Sequence, residues 1–76
     1  MAGLDIPEEE LSLIKARISY EYDMTNFEII SVVKSRKFIN IDYFLSLAVE
    51  NNGELIIFQN EDTYYYVIIR PVRKNV

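Results

Sequence analysis

Cysteine, histidine and tryptophan are absent from this chain, and glycine and proline occur only twice each. Without cysteine there is no disulfide framework and no thiolate metal site, so packing alone must hold the fold, and a reducing compartment suits it. The same absences remove the commonest general base near neutral pH, the strongest nucleophile and the usual transition-metal ligands. Gly3 and Gly53 cannot build a glycine-rich phosphate loop. Neither catalysis nor a bound cofactor or metal is expected. No apolar run approaches the roughly 20 residues needed to span a bilayer. The opening residues, running through Pro7 into Glu8, Glu9 and Glu10, lack the basic and apolar regions of a secretory signal. A cytoplasmic location is the expectation.

What the chain does have is apolar mass. Half of its 76 residues are hydrophobic, which argues against disorder at a size where only about 60% of the unfolded surface can be buried. No repeat, low-complexity tract or linker interrupts it, predicting one domain over 1–76 with an ordered core over about 5–71 and a basic tail over 72–76. The net charge is −4, with acids concentrated early and bases in three groups: Lys15/Arg17, Lys34/Arg36/Lys37 and Arg70/Arg73/Lys74. That overall acidity disfavours nonspecific attraction to phosphate polymers.

Helix signals open the chain. Asp5 can cap, Pro7 costs no hydrogen bond in a first turn, and Glu8 takes the reciprocal capping-box position. Leu11, Ile14, Ile18 and Tyr22 then fall at helical spacing and predict a helix over about 7–22. A second capping box, Thr25-Asn26-Phe27-Glu28, precedes Phe27, Ile30 and Val33 at spacings of three and predicts a helix ending near Lys37. The third helix is the best marked, with Asn40 as cap, Ile39 and Phe44 placed for a hydrophobic staple, and Asn51-Asn52-Gly53 as a stop with glycine available for a left-handed turn. Its residues Ile41, Phe44, Leu45, Ala48 and Val49 form an unbroken apolar stripe that should face the core.

Two β-branched and aromatic runs follow, over 55–58 and 63–69, and predict a hairpin that Pro71 ends. Phe38-Ile39 could add a short third strand, since a two-stranded sheet alone is marginal. The expected fold class is therefore α+β, three helices followed by a C-terminal hairpin. Ser12/Lys15 and Ser31/Lys34 have the spacing of a hydroxyl with an amine base, but on amphipathic helices such residues are solvated surface. Glu8, Glu9 and Glu10 point in different directions around a helix and suit its positive end better than a metal ion.

Three helices and a hairpin, with Asn51-Asn52-Gly53 leading directly into Glu54-Leu55-Ile56-Ile57, resemble the winged-helix group of helix-turn-helix domains over about 7–70. The resemblance implies a recognition helix over 41–51 and a hairpin wing on DNA. Here that helix carries Asp42, Ser46, Glu50 and Asn51 without a base, and the wing tip is Glu61-Asp62. The isoleucine-, tyrosine- and asparagine-rich style also looks like that of small archaeal or archaeal-virus accessory proteins, including minor subunits of replication or transcription machinery.

The hairpin is apolar on both faces, since Leu55 and Ile57 oppose Ile56 and Phe58, and Tyr64, Tyr66 and Ile68 oppose Tyr65, Val67 and Ile69. A sheet with a wet side alternates apolar with polar, so a second cover is implied. Tyrosine favours interfaces. The leading expectation is a non-catalytic accessory or adaptor protein that presents Tyr64, Tyr65, Tyr66, Ile56, Phe58 and Ile68, with Tyr43, to a protein partner or a second copy. The alternative is a DNA-binding regulator using Lys34, Arg36, Lys37, Arg70, Arg73 and Lys74 on phosphates. A core position for Phe44 means that Phe44→Ala costs about 3 to 5 kcal/mol. Thermal melting checks this, and a shift no larger than that of a surface substitution would contradict it.

Overall fold

The computed structural model describes residues 6–72. The element order is α1 (Glu8–Ile18), β1 (Phe27–Ser35), α2 (Asp42–Glu50), β2 (Glu54–Asn60) and β3 (Thr63–Pro71). The fold is α+β, but with two helices and a three-stranded antiparallel sheet rather than three helices and a hairpin. Strand order is β1-β3-β2, so the last strand lies in the middle. Because β1 and β2 each run antiparallel to β3, they are parallel to one another. The segment carrying α2 joins them across one face, and β3 then fills the gap. The chain is thus a split β-α-β unit preceded by a helix.

The expected helix over 25–37 is the strand β1. Its sequence misleads because a bulge between Ile29 and Ser31 breaks the two-residue period. Phe27, Ile29 and Val32 pack with the α1 side of the sheet, while Ile30 and Val33 pack with the α2 side. One inserted residue therefore puts Ile29 and Val32 on one face and Ile30 and Val33 on the other, each pair at the three-residue spacing of a helix. The β-branched content of Ile29, Ile30, Val32 and Val33 prevails, since a strand half-buried on both faces accommodates all four. Phe38 and Ile39 form no strand. They belong to the connection to α2, which the hydroxyl of Tyr66 anchors by accepting a hydrogen bond from the Ile39 N–H at 2.9 Å.

Each helix covers one face. Ile14 and Ile18 of α1 bury against Phe58, Tyr65, Val67 and Ile69. Phe44 and Ala48 of α2 bury against Tyr66 and Ile68. The α1 helix stops at Ile18, four residues short of the expected end. The Ile18 carbonyl accepts from both Glu21 and Tyr22 N–H at 3.0 Å, so the chain turns there. Asp5, the expected cap of α1, lies outside the described residues, as do 73–76 of the expected tail.

The α2 termini follow the sequence more closely. The N-cap position is Ile41, not the expected Asn40, whose side chain instead accepts from the Asp42 N–H at 2.8 Å in a turn that leads into the helix. At the other end, Asn52 N–H donates to Val49 carbonyl at 3.0 Å and Gly53 N–H to Ala48 carbonyl at 2.8 Å, the paired bonds of a Schellman stop. The left-handed residue is Asn52, with φ 56°, and not the glycine. Gly53 is needed for a different reason: a Cβ there would collide with the backbone carbonyl of Ile69 in the central strand.

The apolar stripe of α2 is wider than its own sheet can cover. Phe44 and Ala48 are buried, but Leu45 is 44% exposed and Val49 77%, against the expectation that both belong to the core. Backbone collision at Gly53 leads to an expected loss of about 2 to 3 kcal/mol for Gly53→Ala. Asn52→Gly, at a conformation glycine adopts freely, should stay within about 0.5 kcal/mol of the parent. Urea unfolding of the two variants distinguishes this assignment from one in which the left-handed turn is the glycine's role.

Candidate functional site

Of the interface residues expected from the sequence, Phe58, Tyr65, Tyr66 and Ile68 are buried, and Ile56 and Tyr64 are half-buried. The two-sided apolarity of the hairpin is absorbed by α1 on one face and α2 with the 38–41 connection on the other. The second cover implied by the sequence is therefore part of the chain itself. Only Tyr64 of the three consecutive tyrosines keeps substantial contact with solvent.

The hydroxyls of the two buried tyrosines fix those covers. Tyr65 donates to Glu10 Oε2 at 2.7 Å, and Lys34 Nζ donates to both oxygens of the same carboxylate at 3.0 and 3.2 Å. One glutamate from α1 thus gathers a side chain from β3 and one from β1. The Tyr65 hydrogen bond, followed by that from Lys34, holds the Glu10 carboxyl below its ordinary range. Glu10 in turn pushes the Tyr65 phenol up. At the other end of the same face, Tyr22 donates to Glu54 Oε1 at 2.6 Å, which raises the Tyr22 phenol and ties the turn after α1 to β2. Arg17 lies over the Phe58 ring at 5.5 Å and closes that side of the core.

The basic residues do not converge. Lys34 pairs with Tyr65 in register and Arg70 with Glu28, which places the two about 17 Å apart along β3 at about 3.3 Å per residue. Each is matched by a carboxylate, Lys34 by Glu10 and Arg70 by Glu28 at 2.7 Å. Arg36 and Lys37 are exposed and make no ion pair among the described residues. Arg73 and Lys74 lie outside the described residues.

What does stand out on the surface is aromatic. Phe38 is 62% exposed and meets Tyr64 edge-on at 5.7 Å and Tyr66 at 6.0 Å. Tyr66 stacks on Phe44 at 5.2 Å, and Phe44 meets Tyr43 edge-on at 5.4 Å. Tyr43 is 68% exposed. Five rings are thus linked in contact, with exposed rings at Phe38 and Tyr43 supported by buried rings between them. Tyr43 and Tyr64 were legible as amphipathic ring positions. Phe38 was not, although its place between Lys37 and Ile39 in a short connection meant that only one of two adjacent apolar residues could face inward.

Comparison with protein-family models, with curated proteins and with solved structures returns no match to this chain.

The Glu10 arrangement has a pH signature. A carboxyl held below its ordinary value contributes stability that is present above the unfolded-state pKa and lost as pH falls through the folded-state value. Between about pH 5 and about pH 3, where carboxylates titrate, the melting temperature of the parent should fall more steeply than that of Glu10→Gln. Tyr65→Phe should flatten the same limb, because it removes the larger of the two causes. Parallel acid limbs in all three proteins would show that the triad contributes nothing.

Proposed function

We propose that this chain is a small non-catalytic adaptor of the cytoplasm that docks on a protein partner through Phe38, Tyr43 and Tyr64, with Arg36 and Lys37 at the rim. The observation that carries this is the pair of exposed rings resting on Tyr66 and Phe44. Aromatic side chains have few rotors to immobilise and bring large apolar area, and they dominate binding hot spots together with arginine. Rings already braced by their neighbours lose little further freedom on binding. Arg36 and Lys37, without an ion pair among the described residues, give the contact a positive rim, so the complementary surface would be an apolar pocket bordered by carboxylates.

This moves the expected contact from the hairpin faces to the connection before α2, and retains Tyr64. The cysteine-free composition supports a reducing compartment. A DNA-binding role has less support, since Lys34 and Arg70 are already matched by carboxylates and lie at different ends of the sheet.

Affinity capture from the native cell, quantified by mass spectrometry, tests the proposal. The expected result is a species captured by the parent and reduced at least about tenfold by Phe38→Ala with Tyr43→Ala. Equal capture by the parent and that double variant would dismiss the aromatic site. Fluorescence anisotropy on duplex and single-stranded oligonucleotides supplies the opposing result: micromolar binding with a steep salt slope would replace a protein partner with nucleic acid.

A further inference from the structure

The sheet has two edges, and they are not equivalent. Along β1 the bulge at Ile29/Ser31 interrupts the register and Lys34 adds a charge, both devices that discourage a further strand from pairing. Along β2 there is no bulge, and the one charged residue, Glu54, stands at its first position. Its seven residues run in unbroken register with β3 from Glu54↔Ile69 to Asn60↔Thr63, with no proline, glycine, lysine or arginine among them.

The two-residue loop Glu61-Asp62 sets the phase of that edge. A hairpin of this kind closes on a hydrogen-bonded pair, here Asn60 and Thr63. Residues 54, 56, 58 and 60 therefore direct their N–H and C=O groups to β3. Leu55, Ile57 and Gln59 direct theirs outward.

The overhanging part of α2 lies on the same flank. That helix rests across β2 and β3 and faces the sheet with Phe44 and Ala48. It runs from the Tyr66 end of β3 towards the Ile69 end, because Phe44 stacks on Tyr66 and the helix leads into Gly53 against Ile69. With the right-handed crossover general for β-α-β connections and the right-handed turn of an α-helix of L-residues, Leu45 and Val49 lie towards the β2 side, and Tyr43 towards the β1 side. Leu45, Ser46, Val49 and Glu50 line a shallow depression on the exposed side of that helix.

We infer that the β2 edge with Leu45 and Val49 is a self-association surface whose occupant is β2 of a second copy, paired antiparallel about a two-fold axis at Ile57. Three features single out a second copy. The strand is complementary to itself in this register: Ile57 meets Ile57′, Ile56 meets Phe58′, Leu55 meets Gln59′ and Glu54 meets Asn60′, so no like charges face each other. The outward groups of Leu55, Ile57 and Gln59 match their own counterparts and form about six backbone hydrogen bonds. The spacing also fits the helices. With β2 and β2′ about 4.8 Å apart and α2 lying across β2 and β3 in each copy, the two helix axes come to about 10 Å, the separation at which helices pack. The result is a six-stranded sheet with both α2 helices on one face and the Leu45 and Val49 rows covered.

This inference does not rest on the aromatic docking site, which occupies the other flank. Sedimentation equilibrium on the whole chain, with far-UV circular dichroism to verify folding, is the test. The parent should be a concentration-dependent dimer. Gln59→Pro removes an outward N–H and Val49→Lys charges an exposed helix position, and each should raise the dimer dissociation constant at least about tenfold. Tyr43→Lys should leave it unchanged. Because the chain has no cysteine, Ile57→Cys offers a direct probe: directly opposed residues lie about 5.5 Å apart at Cα, within disulfide reach, so mild oxidation should cross-link this variant and not Tyr43→Cys. A parent that stays monomeric up to about 1 mM, near the weak end of measurable affinities, would overturn the inference. So would a dimer that Val49→Lys leaves intact and Tyr43→Lys dissociates. Loss of partner capture by Phe38→Ala with Tyr43→Ala while the dimer persists would keep the two proposals distinct.

Discussion

The burial of one strand on both faces organises this molecule. Tyr66, Val67, Ile68 and Ile69 of β3 are all without solvent contact, and consecutive residues of a strand point to opposite sides. No single layer can satisfy such a strand. It must lie in the middle of its sheet, and the sheet must be covered twice. In a chain of 76 residues each cover is limited to one helix, so α1 and α2 are separated to opposite faces and β1 is needed to complete the sheet beside β3.

Covers this thin need fastening, and tyrosine supplies it. A buried phenol brings a large apolar area but must place its hydroxyl on a partner. Tyr65 places its hydroxyl on Glu10 of α1, Tyr66 accepts from the backbone before α2, and Tyr22 reaches Glu54 of β2. The first two are neighbours in β3 and fasten opposite covers. That the chain uses six tyrosines and no tryptophan is consistent with a core whose apolar residues also carry the cross-links between layers. Polar fastening of this kind is sensitive to the protonation of its carboxylates, unlike the contacts of Ile14, Ile18 and Phe44.

Much of this was legible in the residues. The hairpin, the class α+β, most of α1 and nearly all of α2 follow from periodicity, turn residues and caps. The need for a second cover was also legible, as the failure of 63–69 to alternate. What the sequence concealed was where that cover came from, because β1 resembled a helix. A bulge shifts the phase of a strand by one residue, and the polar Glu28, Ser31 and Lys34 of β1 fall at spacings of three, as along one face of a helix. Once 27–35 is counted as helix, the sheet has two strands, three helices sit on one side, and Tyr65, Tyr66, Phe58 and Ile68 look uncovered. The surface reading failed at those four residues for the same reason. Tyrosine signals interfaces and strands alike, and the central position of β3 decides for the strand.

The width of an apolar stripe carried more information than its existence. Ile41, Phe44, Leu45, Ala48 and Val49 satisfy the template of a core-facing helix, yet a helix lying across two strands at the edge of a sheet has neighbours beneath it and on the inner side only. Phe44 and Ala48 find those neighbours; Val49 does not. On the inner side the 38–41 connection packs beside the helix, and its own excess appears as Phe38. On the outer side β2 is the edge strand of the sheet. The uncovered apolar residues therefore separate into two groups by geometry, one aromatic and braced above the β1 side of the sheet, the other aliphatic and overhanging an unguarded strand. Their different chemistry follows from their different support: rings can rest on rings in the interior, whereas the aliphatic row has only a backbone edge beneath it, and the partner that matches an edge is another strand.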